Sequence, residues 1–343
     1  MKQSSFGSKL KAHYKRFWWL HLIIFIAVTL ILVLCLIYAA YPHIAQDNMN
    51  KSTLTVTALA LSNPTPKSFH LFQNSTIGNP SSYHPQLDAF NASLSLHGGN
   101  PYGIVTLPHV HATKEAYTVV DQDVAITDLE AFTAYSAAVL GSDQVKLDVK
   151  GRTALHEMRF PTTHVDYHKT TTMAGLDKLS GFNVTSFSIK LTPDADGTNM
   201  VGNVSIPNPS VMTISMGNLT FNNLLPGTPP TPLGISHIDN LVLAPGPNVV
   251  PMRSTVNQSL VLQAIGSTYK DGMLPVIITG NSSMYNGEHL PYFEKPLQAL
   301  VQNVTLDVGT ALHALGLGSK ELAQLVGDIG SDIGSIIGSI LKI

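Results

Sequence analysis

An uncharged apolar run at residues 17–41 constrains this chain more than any other feature. It contains no Asp, Glu, Lys or Arg, and only His21 and Thr29 interrupt it. A helix rises 1.5 Å per residue, so about 20 apolar residues cross the hydrocarbon core of a bilayer. The run therefore predicts a transmembrane helix over residues 17–41. The alternative is a cleaved signal peptide, whose apolar region is shorter, about 7–15 residues.

The residues before this run predict its orientation. Residues 1–16 are a basic tail, and no acidic residue occurs before Asp47. Its cations are Lys2, Lys9, Lys11, Lys15 and Arg16. Positive residues flank the cytosolic end of a span. We therefore expect an uncleaved type II signal-anchor in a membrane of the secretory or endomembrane system, with everything beyond residue 41 in the lumen.

Composition limits the partners of the lumenal part. The 343 residues carry a formal net charge of −2 and only 12% charged residues, and the basic tail leaves the remainder net acidic. Such a surface argues against nucleic acid and anionic lipid head groups as partners. The one cysteine, Cys35, lies inside the apolar run, where membrane packing is the simplest interpretation and palmitoylation the alternative. Disulfides therefore do not stabilise the lumenal part.

N-x-[ST] sequons are frequent and lie only beyond the apolar run. Around three of them, apolar residues alternate with the asparagine, which predicts half-buried strands with the sequon facing outward. The pattern predicts N-glycosylation in a lumen. The nine asparagines are Asn50, Asn74, Asn91, Asn183, Asn203, Asn218, Asn257, Asn281 and Asn303.

The chain beyond the run alternates in period two and repeats its order of elements. We predict a mainly β fold of two tandem antiparallel β-sandwich-like domains, each with one helix, behind the single transmembrane helix. The first helix begins at a capping box around Asp128 and ends near Gly141, and the second ends near Gly266. Asn63-Pro64 aligns with Asn208-Pro209 in this repeat. The predicted segments are a linker at 42–51, β domains at 52–175 and 176–310, and an amphipathic helix at 317–343.

That last segment combines apolar residues at helical spacing with glycines every fourth residue, at 330, 334 and 338. Packing on its own domain is one interpretation. Lying on the membrane surface or self-association through this helix is the other.

Several polar pairs are candidate sites of chemistry. His109 and His111 share a strand face, as do His164 and His168 with Asp166 between them, and these residue types bind zinc. Their spacing is equally that of a polar β surface. Asp121 and Asp123 do not by themselves make a glycosidase, and 194–197 (Asp-Ala-Asp-Gly) is typical of a turn rather than a calcium loop. We expect no enzyme activity, no metal and no cofactor.

Asn63-Pro64 and Asn208-Pro209, together with the anchor, carry a resemblance. The segments ALALSNPTPKSF and VSIPNPSVMTI in a β-rich lumenal region resemble a fungal family of vacuolar-membrane proteins. The lumenal domain of that family has no assigned function, and one yeast member acts in ending autophagy. The chain is more distantly similar to group 2 late-embryogenesis-abundant β-sandwiches. The resemblance implies a β-sandwich fold and a vacuolar membrane location, and no catalytic residue.

The leading hypothesis is a non-catalytic, membrane-anchored scaffold or interaction protein. One alternative is a lipid-binding or lipid-transfer module, which an open apolar groove would support and a filled core would oppose. The other is a lumenal hydrolase, which needs clustered Asp, His or Ser in a concave pocket.

Overall fold

The computed structural model of the chain describes residues 6–158 and 160–316, and only the backbone of residues 6–13. The predicted helix at 317–343 and most of the predicted tail's side chains lie outside the described residues. The helices are α1 (Phe6–Cys35), α2 (Tyr41–Lys51), α3 (Leu129–Gly141), α4 (Gln258–Ser267), α5 (Pro291–Ala299) and α6 (Val308–Ala314), with a π-helical turn at Leu36–Ala40 and a 3₁₀ turn at Asp177–Leu179.

The chain is mainly β, as predicted, with its strands in two sheets. The strands are β1 (Thr53–Ser62), β2 (Ser68–Gly78), β3 (Gln86–Leu87), β4 (Phe90–Leu96), β5 (Pro101–Leu107), β6 (Val110–His111), β7 (Glu115–Ala125), β8 (Gln144–His156), β9 (Thr163–Ala174), β10 (Asn183–Ile189), β11 (Met200–Ser205), β12 (Met212–Leu225), β13 (Thr231–Leu243), β14 (Val249–Val256), β15 (Met273–Tyr285), β16 (Glu288–His289) and β17 (Val301–Asp307).

The N-terminal helix agrees with the predicted span and then extends beyond it. Within the described residues, one helix is long and apolar enough to cross a membrane, Tyr14–Lys51. The side chains of its most apolar stretch have no protein around them, and Phe25 is 68% exposed. The backbone leaves helical geometry at Phe17 (φ −118°, ψ 19°), where the apolar run begins.

Residues 42–51, predicted as a linker, form α2, which corrects that expectation. A helix that is already nucleated adds residues at little cost, so a polar segment of modest propensity continues it. Pro42 stands in the first turn of α2. Its nitrogen has no hydrogen to donate and its ring crowds the carbonyl four residues earlier. The π-helical turn just before it widens the helix at this point.

The larger sheet runs β10-β11-β14-β13-β12-β1-β2-β7, with β15 against β12 and both β16 and β17 against β15. The smaller sheet runs β5-β4-β8-β3-β6, with β9 against β8. Most pairs are antiparallel, but β1 lies parallel to β12, with Leu59 opposite Met212 and Leu61 opposite Ile214. This pair carries the larger sheet across the predicted boundary between 175 and 176. The division into two domains stays a prediction.

The strand pairings show the predicted internal repeat. Five antiparallel pairs of the first half are β1·β2, β2·β7, β4·β5, β4·β8 and β8·β9. Their counterparts in the second half, in the same order, are β10·β11, β11·β14, β12·β13, β12·β15 and β15·β17. The antiparallel pairs outside this correspondence are β3·β6 and β3·β8 in the first half and β13·β14 and β15·β16 in the second. A helix, α3 or α4, stands at the same place in both series. The second half departs from the prediction of one helix by adding α5 and α6.

The register of that repeat differs from the sequence alignment at the Asn-Pro motif. Asn208 is 2% exposed, and its Oδ1 accepts a hydrogen bond from the Ser210 amide at 2.9 Å. Its Nδ2 donates to the carbonyl oxygens of Met212 at 2.7 Å and Leu243 at 3.3 Å. Pro209 beside it is exposed.

The counterpart of this turn is Asn79, not Asn63. Asn79 Oδ1 accepts from the Ser81 amide at 3.0 Å, and its Nδ2 donates to the carbonyls of Tyr83 at 2.8 Å and Ala112 at 2.9 Å. Both turns read Asn-Pro-Ser. Each Asn side chain forms hydrogen bonds with one backbone amide and two backbone carbonyls at the turn. These hydrogen bonds hold the turn in place between two strands.

Asn63-Pro64 belongs instead to the contact between the two halves. Asn63 is exposed, has φ +46°, and accepts a hydrogen bond from the Tyr285 hydroxyl at 3.2 Å. Pro64 is buried, and the Tyr292 hydroxyl donates to the carbonyl of Thr65 at 2.8 Å. Sequence alignment equated two Asn-Pro pairs because it could not distinguish a strand-end turn from an inter-repeat contact.

Candidate functional site

The place where the long helix meets the β-rich part is the most elaborate polar contact of the described chain. Lys169 on β9 is 5% exposed, and its Nζ donates to the carbonyl oxygens of Ser52 at 2.7 Å, Asn50 at 3.4 Å and Met49. Carbonyls at a helix C-terminus carry partial negative charge, which favours a cation there. Burial opposes the charge and lowers the pKa of Lys169 to about 8.

A second contact fixes the same helix from its side. Gln46 Nε2 donates to the Asp166 carbonyl at 2.9 Å, and its Oε1 accepts from the Asp166 amide at 2.8 Å. The side chain thus pairs with β9 as a neighbouring strand would. Ala45 and Met49 on α2 are buried at 6% and 7% exposure. The helix that carries the apolar run is therefore attached to the β-rich part through both polar and apolar contacts.

Lys169 was not among the residues that the sequence analysis selected. A signal was present, because Val165, Tyr167 and Thr171 alternate on the buried face of β9 and Lys169 falls between them in the same phase. A lysine on the buried face of a strand needs a partner.

A cavity of about 250 Å³ lies beside this attachment, between the helix and the first half. Its lining is mainly apolar and includes Leu36, Ile44, Ile77, Leu87 and Ala112. Leu36 and Ile44 come from the helix, and the other three from strands or loops next to the Asn79 turn. The cavity therefore opens where the apolar helix enters the β-rich part.

Two of the lining residues carry polar atoms without partners. The hydroxyl of Tyr41 and Oε2 of Glu157 are buried and have no hydrogen-bond partner among the described residues. The Tyr41 ring stacks on Phe160 with centroids 4.7 Å apart. Phe160 also lines the cavity.

Three apolar residues that line the cavity are also exposed to solvent. Ile44 is 53% exposed, Tyr83 57% and Phe160 47%. Single exposed apolar residues are ordinary on protein surfaces, but a contiguous group of them marks a contact with a membrane or a partner.

A second cavity lies in the second half, and its volume is only about 50 Å³. Apolar side chains line it, among them Phe187, Met252, Leu274 and Leu306. A space of this size holds one or two waters at most. The interior of the second half is therefore essentially filled.

Most of the predicted sequons lie where an attached glycan has room. Asn50, Asn91, Asn183, Asn203, Asn218, Asn257, Asn281 and Asn303 are exposed, while Asn74 is half-buried. The alternation around the sequons is as predicted, since the neighbouring Val204, Leu219 and Val304 are buried at 0%, 2% and 6% exposure. Asn257 also caps α4, accepting from the Leu260 amide at 3.2 Å.

The two aspartates at 121 and 123 meet a histidine that sequence reasoning did not select. His70 Nε2 lies 2.9 Å from Asp121 Oδ1, and its Nδ1 lies 2.8 Å from Asp123 Oδ1. The hydrogen bond to Asp123 raises the pKa of His70, burial opposes that rise, and Asp121 adds to it. The arrangement is an ion-pair cluster on the outer face of β2 and β7.

The predicted histidine pairs do not come together as sites. His109 and His111 hydrogen-bond to the carbonyls of Leu87 and His84, at 3.2 and 3.1 Å. His164 is exposed on β9. Within residues 6–158 and 160–316, no three His, Cys, Asp or Glu side chains are placed to hold a metal ion.

His168 joins a different carboxylate. Asp148 is 2% exposed, and its oxygens lie 2.9 Å from His97 Nδ1 and 3.8 Å from His168 Nε2. Burial raises the pKa of Asp148, but the hydrogen bonds from His97 and Thr170 outweigh it and the pKa falls to about 2. This carboxylate stays charged and anchors cations on the outer face of the smaller sheet.

Residues 100–223 match the model of a family described as a protein of unknown function, DUF3712. The match runs from β5 through most of β12 and so includes parts of both repeats. No curated protein sequence matches the chain.

Three solved structures to which the chain is similar are distant. One is a bacterial adhesin from Mobiluncus mulieris, 9% identical, covering 67% of this chain and 81% of that chain, with a TM-score of 0.18. Another is CBD12 from CALX1.2, 8% identical, covering 69% and 83%, with a TM-score of 0.19. A third is CfaE, the adhesive subunit of CFA/I fimbria of enterotoxigenic Escherichia coli, 10% identical, covering 74% and 85%, with a TM-score of 0.17. No statement about function follows from similarity at this level.

Proposed function

We propose that this chain is a single-pass type II membrane protein whose lumenal β-rich part acts through contact, as a scaffold or interaction protein, rather than through catalysis. One observation carries the membrane part of the proposal. The helix Tyr14–Lys51 exposes its apolar side chains along a length that spans a bilayer, and no part of its most apolar stretch is buried in protein. Such a surface needs a hydrocarbon environment.

The attachment of the helix supports an uncleaved anchor. Lys169 and Gln46 hold the end of the helix against β9, and Ala45 and Met49 are part of the core. Peptidase cleavage after the apolar run would leave α2 as a free N-terminus. A helix that is built into the folded part behaves as a permanent anchor.

Charge and glycosylation sites support the orientation. The cations before the run favour the cytosol, and eight of the nine sequon asparagines are exposed. The resemblance stated above suggests a fungal vacuolar membrane as the location, and a protein partner or a lipid as what the lumenal part contacts.

The polar clusters support contact rather than catalysis by where they lie. His70 with its aspartates and Asp148 with its histidines stand on outer sheet faces, whereas the two cavities described above have apolar walls. Catalytic groups commonly converge in a concave pocket with a few polar side chains.

The test is the topology of the full chain in sealed microsomes. With a tag on residue 1, protease is expected to remove the tag and leave the β-rich part intact. Endoglycosidase should increase gel mobility only after detergent opens the vesicles, and replacing all nine sequon asparagines by Gln should abolish that shift. Digestion of the β-rich part in sealed vesicles would overturn the proposal.

A further inference from the structure

We propose that the cavity beside α2 binds one hydrocarbon chain of a lipid from the membrane in which the helix is anchored. This inference rests on the membrane anchoring proposed above and adds a ligand site to it. The occupant is a bilayer lipid, because one wall of the cavity is the membrane helix itself. Leu36 and Ile44 line the space, and Leu36 directly follows α1, the helix that carries the apolar run.

The internal repeat provides a comparison within the same chain. At the Asn208 turn, β1 covers the equivalent end of the second half, with Leu59 and Leu61 opposite Met212 and Ile214. Met212 and Ile214 are buried at 0% and 1% exposure. Protein fills this end of the second repeat.

At the Asn79 turn of the first repeat no strand takes that place among the described residues. The position equivalent to Met212 is Tyr83, because each accepts the hydrogen bond from the turn asparagine. Tyr83 is 57% exposed and lines the cavity together with Pro85. Protein therefore fills the space beside the Asn208 turn in the second repeat. The equivalent space beside the Asn79 turn in the first repeat is an apolar cavity next to the anchor helix.

The size and walls of the space suit a chain. An apolar cavity of about 150 Å³ binds benzene in water, and this one measures about 250 Å³. Ile77, Leu87 and Ala112 line its inner side. Water gains few hydrogen bonds in such a space, whereas methylene groups lose contact with water by entering it.

The rim favours entry from a bilayer rather than from solution. Ile44, Tyr83 and Phe160 line the cavity and expose apolar surface beside the helix that carries the apolar run. Aromatic side chains are favoured at the level of lipid head groups. A lipid therefore exchanges one chain between the bilayer and the cavity without passing through water.

The experiment uses the full-length protein in phosphatidylcholine vesicles that contain a phosphatidylcholine with a diazirine near the end of one acyl chain. After irradiation, crosslinked residues are mapped by mass spectrometry. We expect crosslinks on the inner wall, at or next to Ile77, Leu87 or Ala112, in addition to crosslinks along the exposed span.

Two variants fill the space from opposite walls, Ala112→Phe from the β side and Ala45→Phe from the helix side, both residues being buried lining residues. Each should reduce inner-wall crosslinks at least tenfold and leave span crosslinks unchanged. His43→Phe is the matched control, because His43 is exposed on the same helix and does not line the cavity. A thermal unfolding curve shows whether each variant folds.

Span crosslinks without inner-wall crosslinks in the wild-type protein would overturn the lipid site, whatever the variants do. Inner-wall crosslinks that persist in a folded filled variant would overturn it as well. Absence of span crosslinks would instead contradict the membrane anchoring itself, so the two failures are distinguishable.

Discussion

The ammonium nitrogen of Lys169 lies 2.7 Å from the carbonyl oxygen of Ser52, the first residue after α2. The strand that carries Lys169 belongs to the smaller sheet, so this contact couples the end of the helix to the core of the first half. Lys169 also donates to Asn50 and Met49. One side chain thereby donates to three carbonyls at the helix end, where the helix itself supplies few amide partners.

Replacing this lysine should loosen the helix end. In Lys169→Met the carbonyls of Asn50 and Ser52 lose a charged donor, and hydrogen bonds to charged groups contribute about 1.5–3 kcal/mol. We expect amide hydrogen exchange in residues 45–52 to become about tenfold faster or more. Lys146→Met on β8 is the control, since Lys146 is exposed. Equal exchange in both variants would show that Lys169 does not hold the helix.

His70 should make stability depend on pH. Its pKa is raised chiefly by the hydrogen bond to Asp123. The folded state therefore binds the proton more tightly than the unfolded chain, whose histidines titrate near pH 6.5. The stabilisation is complete below that pH and is lost as pH rises through the higher folded pKa.

The loss of unfolding free energy in His70→Gln is accordingly expected to be larger at pH 5.5 than at pH 8.5. It should stay below about 1 kcal/mol, because the carboxylates are exposed and salt screens them. Chemical unfolding at the two pH values measures it. In an Asp123→Asn background the pH dependence should shrink, and an unchanged pH dependence there would assign it to another group.

The Asn-Pro-Ser turns should respond alike to mutation, and unlike Asn63. Asn79→Ala and Asn208→Ala each leave one buried amide and two carbonyls without their side-chain partner. We expect each to lower the unfolding free energy by about 2–4 kcal/mol. Asn63→Gly retains the positive φ and removes one hydrogen bond at an exposed position, so a loss of about 1 kcal/mol or less is expected. A large loss at Asn63 with small losses at the other two would restore the equivalence suggested by sequence.

Local features of this fold were readable from the sequence. α3 begins within the predicted capping box at 127–130, although Asp128 rather than Thr127 is the N-cap, accepting from the Ala131 amide at 2.9 Å. The alternation of Val204 with Asn203 and of Leu219 with Asn218 placed the buried faces correctly. These features depend on residues within a few positions of each other, which is why periodicity and caps reveal them.

Other features arise from contacts between distant parts of the chain. The parallel pairing of β1 with β12 has no local signature. α5 contains Pro296 and so looks unlike a helix, yet Tyr292 and Leu297 on it are fully buried. The cavity arises from where the anchor helix docks, and α2 itself looked like a linker. Non-local packing decided each of these cases.

Beyond the break at Phe17, helical structure continues without an intervening loop to Lys51, and this continuity has a mechanical consequence. A flexible linker of similar length would let the β-rich part move through many positions above the bilayer. A rigid stem that is clamped at its upper end instead gives the β-rich part a constant height and a constant tilt. Contacts with other membrane proteins then take place at one distance from the bilayer surface. A partner whose binding surface lies at a different distance cannot make the contact.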